Sequence, residues 1–122
     1  MVAYKVIFYF TSKGKRPVLD FIEQLDVKKS QPKIYALLKL LEEQGHRLGR
    51  PYVGHVKGKI KELRTKTSEG DIRIFFFFFL RRNIIMLHSI KKKTQKLPKQ
   101  DIKTAEQRMR DFIVRYERGE FK

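Results

Sequence analysis

The 122 residues include no cysteine and carry 29 Lys/Arg against 13 Asp/Glu, a formal net charge of +16 at pH 7. That length builds one domain with its own core, and without cysteine neither a disulfide framework nor thiolate chemistry is open to the chain. His46, His55 and His88, its three histidines, lack metal-ligand spacing, so no metal and no other cofactor is expected.

The opening MVAYKVIFYF has no basic stretch ahead of its apolar run, and no helical span approaches twenty apolar residues. The expectation is a soluble, cytoplasmic protein, neither exported by a standard signal nor membrane-spanning. Tyr4 to Phe10 is β-branched and aromatic, which predicts a strand covered by helices. Thr11 to Lys15, with Gly14, makes a turn. Pro17 then opens a helix whose Val18, Phe21, Ile22 and Leu25 fall at i, i+3, i+4 and i+7. A second helix starts near Pro32, places Ile34, Leu37, Leu38 and Leu41 on one face, and stops at Gly45. With their short connection the two form a helical hairpin.

Gly49, Pro51, Gly54 and Gly58 crowd the stretch from His46 to Lys59, which predicts a loop with at most a short strand at Tyr52-Val53. Three strands follow, Ile60 to Lys66, Asp71 to Leu80 and Asn83 to Ile90. Their connections, Ser68-Glu69-Gly70 and Arg81-Arg82, are tight, so the pairing is antiparallel. Phe75 to Phe79 reads as a central strand buried on both faces, where alternation disappears, in preference to an aromatic ligand platform. A long helix from about Pro98 to Glu117 closes the chain, with Ile102, Ala105, Met109, Phe112, Ile113 and Tyr116 at helical spacing. The predicted fold is α+β: a small, twisted, mostly antiparallel sheet with an N-terminal strand, a helical hairpin and a C-terminal helix. The helices are placed on one side of that sheet, in a single domain spanning 1–122.

Positive charge is concentrated. The segment 46–66 holds seven Lys/Arg and one acid, and 81–99 holds seven and none, so the two account for +13 of the +16. Neighbouring strands and loops carrying that excess make one basic face, which attracts polyanions and points to nucleic acid. Period-two alternation sets Glu62 and Arg64 opposite Leu63, so Arg64 faces solvent if Leu63 faces the helices. Arg73 falls on the side of Phe75 and Phe77. Ile84, Met86 and His88 share one side of their strand, and Ile85, Leu87 and Ser89 the other. An unpaired buried guanidinium is costly, so Arg64 and Arg73 are each paired with a carboxylate or open to a ligand. Glu62, Glu69 and Asp71 are the local acids. Guanidinium groups at this density suit a phosphate clamp, which stabilises the charge developing in phosphoryl transfer.

LGRPYVGHVKGKIKELR, then GDIRIFFFFF, then IIMLHSIKKKTQKLPKQDIKTAEQRM closely resembles the HigB-like, phage-derived branch of the RelE/ParE toxin superfamily. The opening YKVIFYF and the helix PVLDFIEQL fit it as well, and the tracts ending in KELR and containing HSIKKKTQK carry the resemblance most specifically. It implies a type II toxin that enters the ribosome and cuts messenger RNA without a metal, the ribose 2′-hydroxyl attacking the adjacent phosphate. Carried over by motif, Arg64 of KELR and Arg73 of GDIRIFF hold phosphate. Lys57 and Lys59 of VKGK bind and assist proton transfer, and His88 with Lys91 to Lys93 of LHSIKKK borders the active site. The implied catalytic set is Arg64, Arg73, His88, Lys92 and Lys93; the implied RNA-binding set is Lys57, Lys59, Lys61, Lys91 and Lys96.

The chain departs from the pattern where RelE-type enzymes carry a tyrosine beyond the last strand: here stands Lys96-Leu97-Pro98. Tyr35 and Tyr116, on the core faces of their helices, are poor substitutes. The base is then His88 or a lysine. The resemblance also implies a HigA-like, helix-turn-helix antitoxin as partner, beside the ribosome and its message. The same scaffold serves ParE-like inhibitors of DNA gyrase, and a non-catalytic RNA-binding protein would share the charge pattern.

Overall fold

The computed structural model describes residues 3–92 and 96–121. Its first strand, β1 (Lys5–Phe8), leads through a turn closed by Thr11 N–H to Lys15 O (2.8 Å) into α1 (Pro17–Glu23). Next come α2 (Gln31–Gln44), a short 3-10 turn (Gly45–Arg47), and four strands: β2 (Val53–Lys57), β3 (Ile60–Thr67), β4 (Gly70–Phe79) and β5 (Asn83–Lys92). The helix α3 (Lys99–Glu117) ends the fold. The sheet order is β1-β5-β4-β3-β2, antiparallel throughout except that β1 lies parallel to β5. Among the described residues no helix is long and apolar enough to cross a membrane.

The α+β class and the order of elements agree with the reading of the sequence. The arrangement of layers does not. The hairpin α1–α2 covers one face, packing Val18, Ile22, Ile34 and Leu41 on Leu63, Ile72, Ile74, Phe76 and Ile84. The opposite face is covered by α3, whose Ala105 and Phe112 bury Phe75, Phe77, Ile85 and Leu87. The phenylalanine run requires this: Phe75, Phe76 and Phe77 are all essentially inaccessible, and successive side chains point to opposite faces. A strand apolar on both faces cannot leave one face in water, so helices on one side alone were never compatible with it.

Two smaller corrections bear on the site. The glycine-rich stretch after α2 is not all loop, because Val53–Lys57 pairs with β3 as an edge strand through Val53↔Leu63 and Gly54↔Glu62. Tyr35 does not face the core; it is 40% exposed. Tyr116 does pack inward, edge-on to Phe79 with ring centres 4.9 Å apart.

The helix α3 is tied to the sheet side by polar contacts the apolar periodicity does not announce. Arg115, buried, donates to Phe10 O (2.7 Å) and pairs with Asp111 (3.0 Å) and Glu120 (3.0 Å). Tyr9 donates its hydroxyl to Asp111 (2.6 Å), and burial, followed by that carboxylate, pushes the phenol up to about 12.

Candidate nucleic-acid interface

Strands β3 and β4 are joined by a tight turn, and their register sets Arg64 directly across from Arg73. Both side chains project to the face that α3 covers farther along, together with Glu62, Asp71 and Phe75. Glu62 is only 3% exposed. Its Oε2 accepts from Arg64 Nε (2.9 Å) and from Arg73 Nη1 (3.5 Å), while its Oε1 is buried without a hydrogen-bond partner. One carboxylate therefore serves two guanidinium groups, and the trio keeps a net positive charge. Burying a carboxylate is tolerable only with such partners.

The Arg64 side chain is held over β2 by the absence of another. A Cβ added at Gly54 would collide with the Arg64 guanidinium, so the glycine is a seat for the arginine. The Arg64 N–H also donates to Tyr52 O (2.7 Å), just before β2 begins.

Of the implied catalytic residues, Arg64, Arg73 and Lys92 share this face, Lys92 lying opposite Asp71 on β5. His88 shares it too, against the expectation from alternation. A bulge on β5 pairs Phe76 with Met86 and Phe75 with His88, leaving Leu87 as the extra residue. The count of two restarts there, so His88 joins Ile85 and Leu87. Lys93 lies outside the described residues.

His88 is not poised over a substrate. Its Nδ1 lies 2.9 Å from Arg108 Nη1 and its Nε2 lies 2.6 Å from Asp101 Oδ1. A guanidinium can only donate, so Nδ1 accepts and the proton of the neutral ring sits on Nε2, donated to Asp101. Burial lowers the His88 pKa, outweighing the Asp101 carboxylate, which acts the other way. A depressed histidine stabilises the fold above its ordinary value near 6.5, and that contribution is lost as pH falls through the native value. The resistance of the chain to urea is accordingly expected to fall between pH 7 and pH 5. His88→Gln should flatten that part of the curve. Identical pH profiles for the two proteins would refute the neutral, enclosed histidine.

The implied RNA-binding lysines are not brought to one place. Lys57 pairs with Glu106 of α3 (3.3 Å), Lys59 is exposed in the β2–β3 turn, and Lys96 is exposed just before α3. Lys61 and Lys91 point to the hairpin side, opposite Phe76 and Ile72 respectively. So the basic segments do not converge as a whole. Among the described residues, Arg64, Arg73 and Lys92 share the arginine face with Lys66, which lies opposite Asp71. Among the described residues no three His, Asp or Glu side chains form a metal-ligand cluster.

A groove of about 530 Å³ opens beside the two arginines. It is lined by Lys33, Ala36, Leu37 and Leu40 of α2, by Pro51 and Tyr52, and by Arg64, Thr65, Lys66, Asp71 and Arg73. No sequence pattern announces it, because β2 pairs with β3 only as far as Leu63 and the groove forms where that ladder stops. Glu62 was legible as a local acid, though not as the shared partner of both arginines; Gly54 read only as a breaker.

The chain belongs to the phage-derived Gp49-like family: residues 20–110 match the family described as phage derived protein Gp49-like (DUF891). That match runs from α1 through the whole of β2–β5 and most of α3, so it includes every residue of the arginine–glutamate trio. No curated protein matches the chain.

Proposed function

We propose that this Gp49-like protein is the toxin of a type II toxin–antitoxin pair, a HigB-like, ribosome-dependent endoribonuclease of the RelE/ParE superfamily. The observation that carries the reading is the cross-strand pair of Arg64 and Arg73 sharing one buried carboxylate. Two guanidinium groups with one counter-charge are an incomplete ion pair, and a phosphodiester supplies the missing anion. In the reaction the 2′-oxygen bonds to the adjacent phosphorus as its proton passes to a base. The 5′-oxygen leaves with a proton, and a 2′,3′-cyclic phosphate remains. Arg64 and Arg73 hold the nonbridging oxygens as negative charge grows on them. Lys92 is the proton-transfer candidate on this face, since both nitrogens of His88 are already engaged. The partners in this reading are the ribosome with its message and a HigA-like antitoxin that covers the basic surface, and the setting is the cytoplasm.

The test is induction of the chain alone in cells, followed by mapping of RNA 5′ ends beside an assay of DNA integrity. Cuts within translated codons, leaving cyclic or 3′-phosphate ends, are expected. Binding of the purified protein to ribosomes should also weaken steeply with salt, as several phosphates are neutralised. Intact messages with accumulating DNA breaks would replace this reading with gyrase inhibition.

A further inference from the structure

We propose that the groove between α2 and the free edge of β3 is a nucleobase site, taking the base of the nucleotide whose phosphate lies on Arg64 and Arg73. This rests on the cleavage reading for its choice of phosphate. The geometry comes from the ladder. Thr65 points to the hairpin side of the sheet, Asp71 and Arg73 to the α3 side, yet all three line one cavity. A cavity touching both faces must pass around the edge of β3, which has no strand beside it beyond Leu63. One end of the groove is therefore apolar and the other is the arginine face.

The two ends match the two halves of a nucleotide. Tyr52, 41% exposed, offers a ring beside Leu37 and Leu40, and unpaired bases of single-stranded RNA stack on such rings. Lys33, Lys66, Arg64 and Arg73 give the lining four cations against one acid, which suits a polyanion. Lys33 Nζ donates to Lys66 O (2.6 Å), bridging α2 to β3 at the groove. The volume lies within the range of sites that enclose a small organic ligand.

The probes are the four nucleoside 3′-monophosphates, with inorganic phosphate and an acidic peptide as comparisons, titrated into the full chain and followed by NMR. Nucleotides should shift the signals of Tyr52, Leu37 and Leu40, and phosphate alone should leave them in place. Tyr52→Ala should weaken nucleotide binding roughly five- to hundredfold. Tyr52→Leu, which keeps bulk without a ring, should behave like it. Equal binding of phosphate and nucleotides with a silent groove overturns the proposal, as does a groove that takes the peptide and no nucleotide. The two readings separate cleanly. If the chain cuts RNA and Tyr52→Ala cuts the same positions at the same frequencies, the base site fails and the nuclease stands. If nucleotides seat beside Tyr52 and no RNA is cut, the nuclease fails and the site stands.

Discussion

Arg73→Ala is expected to lower cleavage of a translated message by about a hundredfold or more, the usual loss when one preorganised donor to a developing anion is removed. The readout matters, because Arg73 is also structural: its side chain is only 13% exposed and reaches the Glu62 carboxylate at 3.5 Å. Removing it leaves Glu62 with its closer partner, Arg64 at 2.9 Å, so a folded protein with a cooperative urea transition is expected. The double variant Arg64→Ala/Arg73→Ala is a poor instrument. It strands a buried carboxylate and costs about 3–5 kcal/mol. Gly54→Ala offers a second route to the same question, since its methyl group displaces the Arg64 guanidinium without deleting it. If Arg73→Ala and Gly54→Ala both cut at the rate of the parent chain, the phosphate is held elsewhere.

Much of this was readable before the structure. The spacing of Val18, Ile22, Ile34 and Leu41 placed the hairpin, and the tight turns placed the antiparallel strands. The phenylalanine run already implied a central strand covered twice. What the sequence concealed were events that break a period. The bulge at Leu87 moved His88 to the arginine face, and no residue type marks a bulge there. The hairpin side of Lys61 follows from alternation alone, whereas the same bulge carries Lys91 there. Counting charge along segments hid it, because adjacent strand residues contribute to opposite faces. The pairing of both arginines with Glu62 needed the β3–β4 register, which sets Glu62 beside Phe75 and Arg64 beside Arg73. The groove depended on where a ladder ends, a tertiary fact that local sequence does not encode.

Glu62→Ala should destabilise the chain by roughly 3 kcal/mol, toward the lower end of what breaking a buried ion pair costs. Arg73 then loses the only carboxylate within ion-pair reach among the described residues, while Arg64, 36% exposed at its side chain, can turn to water. Glu62→Gln separates two roles the carboxylate could have. As a positioning residue it holds both guanidiniums in register, and the amide oxygen can still accept from Arg64; the variant should lose stability and keep the pH profile of cleavage. RNA binding should tighten and grow more salt-sensitive, since the face gains a full positive charge. As the base that takes the 2′-hydroxyl proton, Glu62 would lose the same stability and gain the same affinity as the amide, but cleavage would be abolished. Its burial at 3% exposure, with the bonded oxygen turned to the arginines, favours the first outcome.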